Sequence, residues 1–282
     1  RTRKKFERLI STFKPDVVLI DRMSKFGLEV IKSDIPLFLI VRGHYWLQNE
    51  WNEKTIYKNR LKQKLVEMRF KDDAQVFERA TAILPLCNYL VDVVREHYPK
   101  QNLHVFVEGI DSSKWYTEKG IELKHPCVGL VQRAHHWAKS SEMLILKKIL
   151  DKMPEVNFYW AGGGEIEDEI LSELDGFENF HWLGSLQYPD KVREFLSEID
   201  VYLLPTGMET TPLSLKEAQL MKKPVITTNV GGTSETMIDS ITGFLVEKGN
   251  HEQLIEKLEL LVDDKKLSEQ MGEAGRKFVQ EK

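Results

Sequence analysis

Short runs of aliphatic and β-branched residues alternate with amphipathic helical patterns along almost the whole chain. This alternation is typical of parallel strands that are joined by crossover helices. Four runs lie in the first part, near 17–21, 37–42, 81–86 and 103–107, and six follow, near 127–131, 156–161, 180–183, 201–204, 225–227 and 243–246. The pattern therefore predicts an α/β fold with two doubly wound, Rossmann-like domains.

The length and the polar segment between the two sets of runs predict the domain organisation. A chain of 282 residues suits two domains. The segment after Glu108-Gly109 is polar to Lys124 and has no strong period, so we expect domains over 1–114 and 115–282. The sequence begins at Arg1 inside a helical pattern, so we also expect a first domain that is incomplete at its amino terminus.

Composition excludes several classes of function. Net charge is −4 with both signs interspersed, so we expect no nucleic-acid partner. No run approaches the roughly 18–20 apolar residues of a membrane span, and we expect a cytoplasmic protein. Charges in the helical stretch 53–79 predict a solvated face; contact with the inner face of a membrane is the alternative, through the cations Lys58, Arg60, Lys62 and Lys64.

The loop after the run 201–204 carries two glutamates and the start of a helix. Ligands of doubly wound sheets bind beyond the carboxyl ends of the strands, and with two such domains we expect the site in the cleft between them. Pro212 suits a first helical turn, whose free N–H groups favour an anion. Glu209 precedes this helix and Glu217 lies within it; carboxylates accept paired sugar hydroxyls well. The alternative is that Glu209 caps the helix and Glu217 is an exposed acid.

Two other strand-to-helix loops carry side chains of interest. Arg133 and Lys139 follow the run 127–131, where they would neutralise a diphosphate, since no Asp-x-Asp follows a strand to hold a metal. Surface cations are the alternative. His44 follows the run 37–42 and would contact a sugar or an acceptor, unless it is a hydrogen-bonded structural histidine. From sequence, the two cysteines, Cys87 and Cys127, predict neither a disulfide framework nor a metal set.

Glycine clusters follow two of the runs. Gly162-Gly163-Gly164 invites a dinucleotide interpretation, but the third glycine of that fingerprint falls at Glu167, so the interpretation fails. Gly231-Gly232 predicts a tight turn near the phosphates.

The segment LPTGMETTPLSLKEAQLMKKPVITTNVGGTSETMIDSITGFLV, from Leu204 to Val246, has a Glu, seven residues and a second Glu, then Lys-Pro before a strand and Gly-Gly. This segment resembles the nucleotide-sugar segment of retaining glycosyltransferases of family 4, the glycosyl transferases group 1. The stretches ERATAILPLCNYLVDVVREHY, VEGID, FKPDVVLID and PLFLIVRGHYW resemble first-domain elements of that family. The resemblance implies the GT-B fold, with two Rossmann-like domains facing a cleft and the first on the acceptor side.

The resemblance also implies roles for single residues. Glu209 matches the family's contact to the donor sugar and His44 a second sugar contact, and these two are the expected catalytic residues. Glu217 matches the ligand of the ribose hydroxyls. The diphosphate would lie against Arg133, Lys139 and backbone of the loop, and the nucleobase near Leu183-Gly184; the expected donor-binding residues are therefore Arg133, Lys139, Glu217, Thr210, Thr211, Pro212, Leu213, Gly184 and Gly231. Thr210-Thr211-Pro212 replaces a common Gly-Phe-Gly, and Glu108 stands where Asn is usual.

By resemblance, then, the expected function is transfer of a hexose from a nucleotide sugar, such as a UDP- or GDP-sugar, to a hydroxyl acceptor in polysaccharide biosynthesis. The expected reaction proceeds with retention and needs neither metal nor cofactor. Two alternatives remain: a nucleotide-sugar-binding fragment that lacks a competent acceptor site, and a GT-B nucleotide-sugar epimerase.

Overall fold

The computed structural model describes residues 2–23, 25–55 and 59–282. The chain divides into two compact units, Arg1–Glu108 and Gly109–Lys282. This division lies a few residues before the boundary that the sequence predicts, because Ile110 and the fully buried Trp115 pack into the core of the second unit.

The first unit is built on a three-stranded parallel sheet. Its strand order is β1-β2-β3, and its core lies between this sheet and the helices. The strands are β1 (Val18–Asp21), β2 (Leu37–Val41) and β3 (Ala82–Pro85), and the helices are α1 (Thr2–Phe13), α2 (Lys25–Val30), α3 (Tyr45–Thr55), α4 (Arg60–Arg79) and α5 (Asn88–His97).

Two elements of the first unit differ from the prediction. The strand predicted over 103–107 is wrong: the segment forms one isolated bridge, between Ile83 and Leu103. Phe106 still donates its N–H to the carbonyl of Pro85, but Val107 is 57% exposed, so little burial stabilises a full ladder. The helical stretch predicted over 53–79 is interrupted: α3 ends at Thr55, and Asn59 caps α4.

The second unit has six parallel strands in the order β6-β5-β4-β7-β8-β9, as in a complete doubly wound domain. The sequence pattern predicted each strand within a residue. The strands are β4 (Cys127–Val131), β5 (Asn157–Ala161), β6 (Phe180–Gly184), β7 (Val201–Leu204), β8 (Val225–Thr228) and β9 (Gly243–Val246). The helices are α6 (Trp137–Ser140), α7 (Leu146–Leu150), α8 (Glu167–Leu174), α9 (Asp190–Glu198), α10 (Leu213–Leu220), α11 (His251–Asp263) and α12 (Lys265–Glu281).

Side chains that alternate along the central strands fill two apolar layers. On β5, Phe158 and Trp160 face the layer that includes α7, α8 and α11, while Tyr159 faces the layer that includes α9 and α10. Successive side chains of a strand point to opposite faces of the sheet, and a sheet covered on both faces needs strands that are apolar throughout. The sheet thus presents its polar loops only at the two ends of its strands.

No helix in the described part of the chain combines the length and the apolar character needed to cross a bilayer.

Candidate functional site

The loops that follow β4, β5, β7 and β8 are bonded to one another at the carboxyl ends of the strands. Gly207 donates its backbone N–H to the carbonyl of Lys139 at 2.9 Å. On the other side, Gly232 donates to the carbonyl of Glu209 at 3.2 Å. The loop after β7 is therefore held between the loops after β4 and β8. The loops after β4, β7 and β8 are among those in which the sequence predicted a ligand site.

A buried ion pair joins two of the predicted residues. The Lys139 ammonium contacts Oε2 of Glu209, with the lysine side chain 31% and the glutamate side chain 9% exposed. The other oxygen of Glu209 accepts the N–H of Thr210 at 3.1 Å. Pro212 occupies the N-cap of α10 without a side-chain cap bond. The alternative that Glu209 caps this helix is therefore wrong.

Glu217 lies on the buried face of α10 and is 4% exposed, so the alternative of an exposed acid is wrong as well. The hydroxyl of Tyr188 donates to its Oε1 at 3.1 Å. Burial raises the pKa of Glu217 to about 7, and the Tyr188 hydrogen bond opposes this rise. A carboxyl group with that pKa is partly protonated at neutral pH, so its charge depends on what it contacts.

The loop before Glu209 is fixed by buried threonines and by close backbone packing. Thr206, fully buried, donates its N–H to Oγ1 of Thr228 at 2.8 Å, and that hydroxyl donates to the carbonyl of Thr206 at 2.6 Å. A Cβ at Gly207 would lie 2.5 Å from the carbonyl oxygen of Ala138. The residue at 207 must therefore lack a side chain for the loop to approach α6 this closely.

The amino end of α10 follows Glu209 by a few residues in the predicted site. The first N–H groups of a helix have no partner within the helix. Tyr202, on β7 beneath this helix, donates its hydroxyl to Oγ of Ser214 at 2.7 Å. This bond anchors the first turn of α10 to the sheet, so that turn is presented in a fixed position next to Thr211 and Pro212.

The remaining predicted donor residues lie on the same end of the sheet. Arg133 is exposed and, among the described residues, has no carboxylate as an ion-pair partner. Gly184, at the end of β6, has φ +68°, and Gly231 has φ +58°, conformations that favour glycine. Three groups that could together hold a metal ion, within the part of the chain that the structure describes, are His125, Cys127 and Asp200, and no predicted donor residue is among them.

Gly162 and Gly164 serve the packing of two loops. A Cβ at Gly162 would lie 1.9 Å from the carbonyl oxygen of Gln132, and one at Gly164 would lie 2.4 Å from that of Ala134. Glu167 accepts the N–H of Gly164 at 2.8 Å. These glycines let the loop after β5 support the loop that carries Arg133, which agrees with the failure of the dinucleotide fingerprint.

His44 lies in the first unit, immediately before α3. Its Nδ1 accepts the N–H of Leu47 at 3.0 Å, so a neutral ring carries its proton on Nε2. Burial lowers the pKa of His44. Glu108 is the last residue of the first unit. Its carboxylate accepts a hydrogen bond of 2.6 Å from the guanidinium of Arg42, which follows β2. This contact is the physical role that the structure gives to the glutamate at 108.

Sequence reasoning missed Tyr188 and Tyr202. Tyr188 is 62% exposed and lies in the loop after β6, where an aromatic residue carries no distinctive pattern. Tyr202 occupies an ordinary inward position of a buried strand, so its hydroxyl contact to α10 left no signal. Strand order is the missing information, because it alone brings residues 188 and 217 together.

A six-stranded parallel sheet of this order, with charged loops gathered beyond the carboxyl ends of its strands, defines an α/β protein with a Rossmann-like ligand-binding domain. Residues 111–278 match the glycosyl transferases group 1 family, and the chain belongs to that family.

Curated relatives agree with this assignment. The capsular polysaccharide biosynthesis glycosyltransferase CapM of Staphylococcus aureus is 42% identical over 88 residues, which are 31% of this chain and 23% of that protein. Alpha-maltose-1-phosphate synthase of Mycolicibacterium smegmatis is 25% identical over 232 residues, 71% of this chain and 58% of that protein. The chain thus spans from about a quarter to under three fifths of the length of these relatives.

The fold matches GT-B structures over nearly the whole chain. Sucrose-phosphate synthase from Thermosynechococcus elongatus superposes with a TM-score of 0.84 at 15% identity, covering 99% of this chain and 72% of that one. Anabaena HepE in complex with UDP-glucose gives a TM-score of 0.74 at 16% identity, covering 98% and 77%. The predicted GT-B fold class is confirmed.

Proposed function

We propose that the protein is a retaining glycosyltransferase that moves a hexose from a nucleotide sugar to a hydroxyl acceptor, and that its second unit binds the donor. The observation that carries the proposal is the pairing of Lys139 with Glu209 beside the amino end of α10, with the buried Glu217 on the same helix. One edge of one sheet then offers a cation, a helix terminus and two carboxylates, which are the groups that a sugar nucleotide requires.

Glu217 binds the ribose in this proposal. Its carboxylate already accepts one hydroxyl, that of Tyr188, and a ribose diol would supply two in its place. Each hydrogen bond to the charged form favours ionisation, so donor binding lowers the pKa of Glu217 from about 7. The nucleobase then lies near Leu183-Gly184.

Lys139 and Arg133 bind the diphosphate, together with backbone groups of Thr210 to Leu213, among which Pro212 has no N–H. A charged hydrogen bond contributes about 1.5–3 kcal/mol when its partner is present. Lys139 is held by Glu209 in the free protein, so the diphosphate competes with that carboxylate. Donor binding would thereby free Glu209 to face the sugar.

For the chemical step, the leaving diphosphate accepts the proton of the acceptor hydroxyl on the face of the sugar from which it departs. The new glycosidic bond forms on that same face, which retains the configuration. Glu209 and His44 orient the sugar and stabilise its positive charge in the transition state. The cations neutralise the diphosphate, so this step calls for no metal ion.

The names of relatives suggest where such a transfer belongs. CapM is named for capsular polysaccharide biosynthesis, and HepE binds UDP and UDP-glucose. We therefore place this protein in surface polysaccharide synthesis at the cytoplasmic face of a membrane, with a uridine sugar nucleotide as the first donor to try.

An apolar stripe on α4 supports contact with that membrane. Leu61, Leu65 and Met68 are 69%, 59% and 57% exposed and lie along one side of the helix. Exposed cations flank the stripe on both sides: Arg60, Lys64 and Arg69. Lys58 and the side chain of Lys62, which the sequence interpretation also used, lie outside the described residues. Vesicles with anionic lipid should bind the wild-type protein and should bind the Leu61→Ser/Leu65→Ser variant much more weakly. Equal binding of the two proteins would rule out this membrane contact.

Product analysis tests the proposed reaction. Labelled UDP-sugar is incubated with the protein, with and without a lipid-linked or oligosaccharide acceptor. With acceptor, the label should be transferred to it with the anomeric configuration retained; without acceptor, the sugar nucleotide should remain unchanged. Conversion of the sugar nucleotide alone would identify an epimerase instead, and an inverted product would reject the retaining step.

A further inference from the structure

We propose that His125, Cys127 and Asp200 form a zinc-binding site at the amino-terminal end of β4 and β7. This end of the sheet is opposite to the loops that carry Glu209 and Lys139. The site is independent of the proposed transfer reaction, and nothing in that reaction uses these three residues.

The three ligand atoms already lie close together. Sγ of Cys127, a ring nitrogen of His125 and a carboxylate oxygen of Asp200 lie within 4.8 Å of one another. Sγ is 3.6 Å from Nδ1 of His125, and that nitrogen is 2.8 Å from Oδ2 of Asp200. Zinc–ligand bonds of about 2.0–2.3 Å place tetrahedral ligands roughly 3.3–3.8 Å apart. The sulfur–nitrogen pair has this separation, and the nitrogen–oxygen pair must open by roughly half an ångström.

The backbone fixes two of the ligands. Cys127 begins β4 and Asp200 immediately precedes the adjacent strand β7, and Asp200 donates its N–H to the carbonyl of Cys127 at 3.1 Å. Cys127 in turn donates its N–H to Oδ2 of Asp200 at 2.8 Å. Cys127 is fully buried, whereas the His125 side chain is 40% and the Asp200 side chain 43% exposed. An ion would therefore sit at the boundary between core and solvent.

Glu198 supports the histidine from outside the ligand set. Its Oε1 is 3.4 Å from Nε2 of His125. A histidine that binds a metal through one nitrogen commonly donates the other N–H to a carboxylate, which fixes the ring. With the His125 proton on Nε2, Nδ1 is available to the ion.

A cavity of about 710 Å³ opens beside the site and is lined by His125, Glu198 and Asp200 among others. It gives an ion a path from solvent and leaves a fourth coordination position for water. Lys223 also lines this cavity and opposes a cation, while it holds the carbonyl of Ser197. Counting a Cys127 thiolate, the carboxylates of Glu198 and Asp200, and the Lys223 ammonium, the local charge is −2, which a divalent ion balances.

Zinc binding must displace protons. Burial, with a smaller contribution from Asp200, raises the pKa of the Cys127 thiol to about 12, so the free protein holds a neutral thiol. On binding, the thiol proton leaves to solvent and sulfur donates its electron pair to zinc. The Nδ1 proton of His125, which the hydrogen bond to Asp200 requires, also leaves to solvent, and the ring carries its proton on Nε2 instead. Nδ1 and Oδ2 then each bind the ion in place of that hydrogen bond. Sulfur and imidazole together favour zinc over magnesium or calcium.

Cobalt(II), a spectroscopic substitute for zinc, tests the site in the full chain after treatment with a chelator. Wild type should bind one cobalt ion with a sulfur-to-metal charge-transfer band that zinc abolishes. Cys127→Ser should lose the band. Cys87→Ser, which removes the other buried cysteine, should keep it.

Two exposed positions keep the test decisive if Cys127→Ser fails to fold. His125→Gln should weaken cobalt binding at least tenfold, and Glu198→Gln about tenfold with the band retained. Absence of the band in wild type at excess cobalt would overturn the proposal. So would a band that survives in Cys127→Ser, or unchanged affinity in His125→Gln.

Discussion

At the scale of single residues, the burial of Glu217 bears on the proposed ribose contact and on stability. The carboxyl group is 4% exposed, with a pKa near 7. Such a group has lost much of its hydration and regains hydrogen bonds when a diol reaches it. Its ionisation is therefore coupled to folding and, in the proposed function, to donor binding.

Glu217→Gln should weaken nucleotide-sugar binding by about 10- to 100-fold, since hydrogen bonds to a charged group contribute about 1.5–3 kcal/mol. Wild-type affinity should also fall as pH drops below about 7, because the protonated acid accepts fewer hydroxyls. Calorimetry between pH 5.5 and pH 8.5 measures both effects, and the glutamine variant should lose the part of the pH dependence that the glutamate causes.

The same substitution should stabilise the free protein at high pH. The folded-state pKa of Glu217 is raised from 4.5 to about 7, so the native state binds more protons than the unfolded state within that interval. Stability therefore falls as pH rises from 4.5 to 7, by up to roughly 3 kcal/mol. Glu217→Gln removes this loss, so its unfolding free energy relative to wild type should be higher at pH 8 than at pH 4.5. Denaturant titrations of wild type, Glu217→Gln and the exposed control Glu273→Gln measure this difference. If the unfolding free energy of Glu217→Gln relative to wild type is the same at pH 4.5 and at pH 8, the prediction is wrong.

Glu209 and Lys139 should separate turnover from binding. Glu209→Gln should lower kcat by at least about 100-fold, because it removes the charge proposed to face the sugar. Donor affinity should stay the same or rise, because the substitution also ends the competition for Lys139. Lys139→Met should instead weaken donor binding about tenfold. Lys147→Met is the matched control, since Lys147 forms an ion pair with Glu173 in the same unit, 2.6 Å apart. Steady-state kinetics and calorimetry would contradict these roles if Glu209→Gln lost affinity and kept kcat.

At the scale of elements, the loop after β7 is positioned by close packing against α6. Gly207→Ala places a Cβ 2.5 Å from the carbonyl oxygen of Ala138, so the loop must move. We expect a loss of about 1–3 kcal/mol in unfolding free energy and weaker donor binding. At Gly176 an added Cβ meets nothing within 4 Å, so Gly176→Ala is the control. Equal melting temperatures for the two variants would show that the loop adapts.

Elements of the second unit could be predicted from sequence because hydrophobic runs and turn residues define them locally. The strand expected over 103–107 failed because Val107 is 57% exposed, and burial is not visible in a five-residue pattern. The site was predictable in part: Glu209, Lys139 and Glu217 follow predictable strands, and a family resemblance supplied their roles. Tyr188 was not predictable, since only the order β6-β5-β4-β7 sets its loop on the same edge as α10.

At the scale of the whole molecule, the two ends of the second sheet carry two separate proposed sites. The carboxyl ends of the strands carry the proposed donor site, and the amino ends carry His125, Cys127 and Asp200. If the donor site neutralises the diphosphate by cations alone, turnover should persist in excess chelator. Cys127→Ser lacks the proposed zinc ligand, so any effect of chelator on this variant cannot come from that zinc site. If Cys127→Ser lost turnover in chelator and added metal restored it, the cation mechanism would be contradicted.

Donor binding by the complete chain tests the central claim most directly. Isothermal calorimetry with uridine, guanosine and adenosine sugar nucleotides should show saturable binding of at least one, weakened about tenfold or more by Glu217→Gln and Lys139→Met and unchanged by Lys147→Met. Binding of none of these nucleotides, or equal affinity in Glu217→Gln and wild type, would contradict the assignment of the donor site.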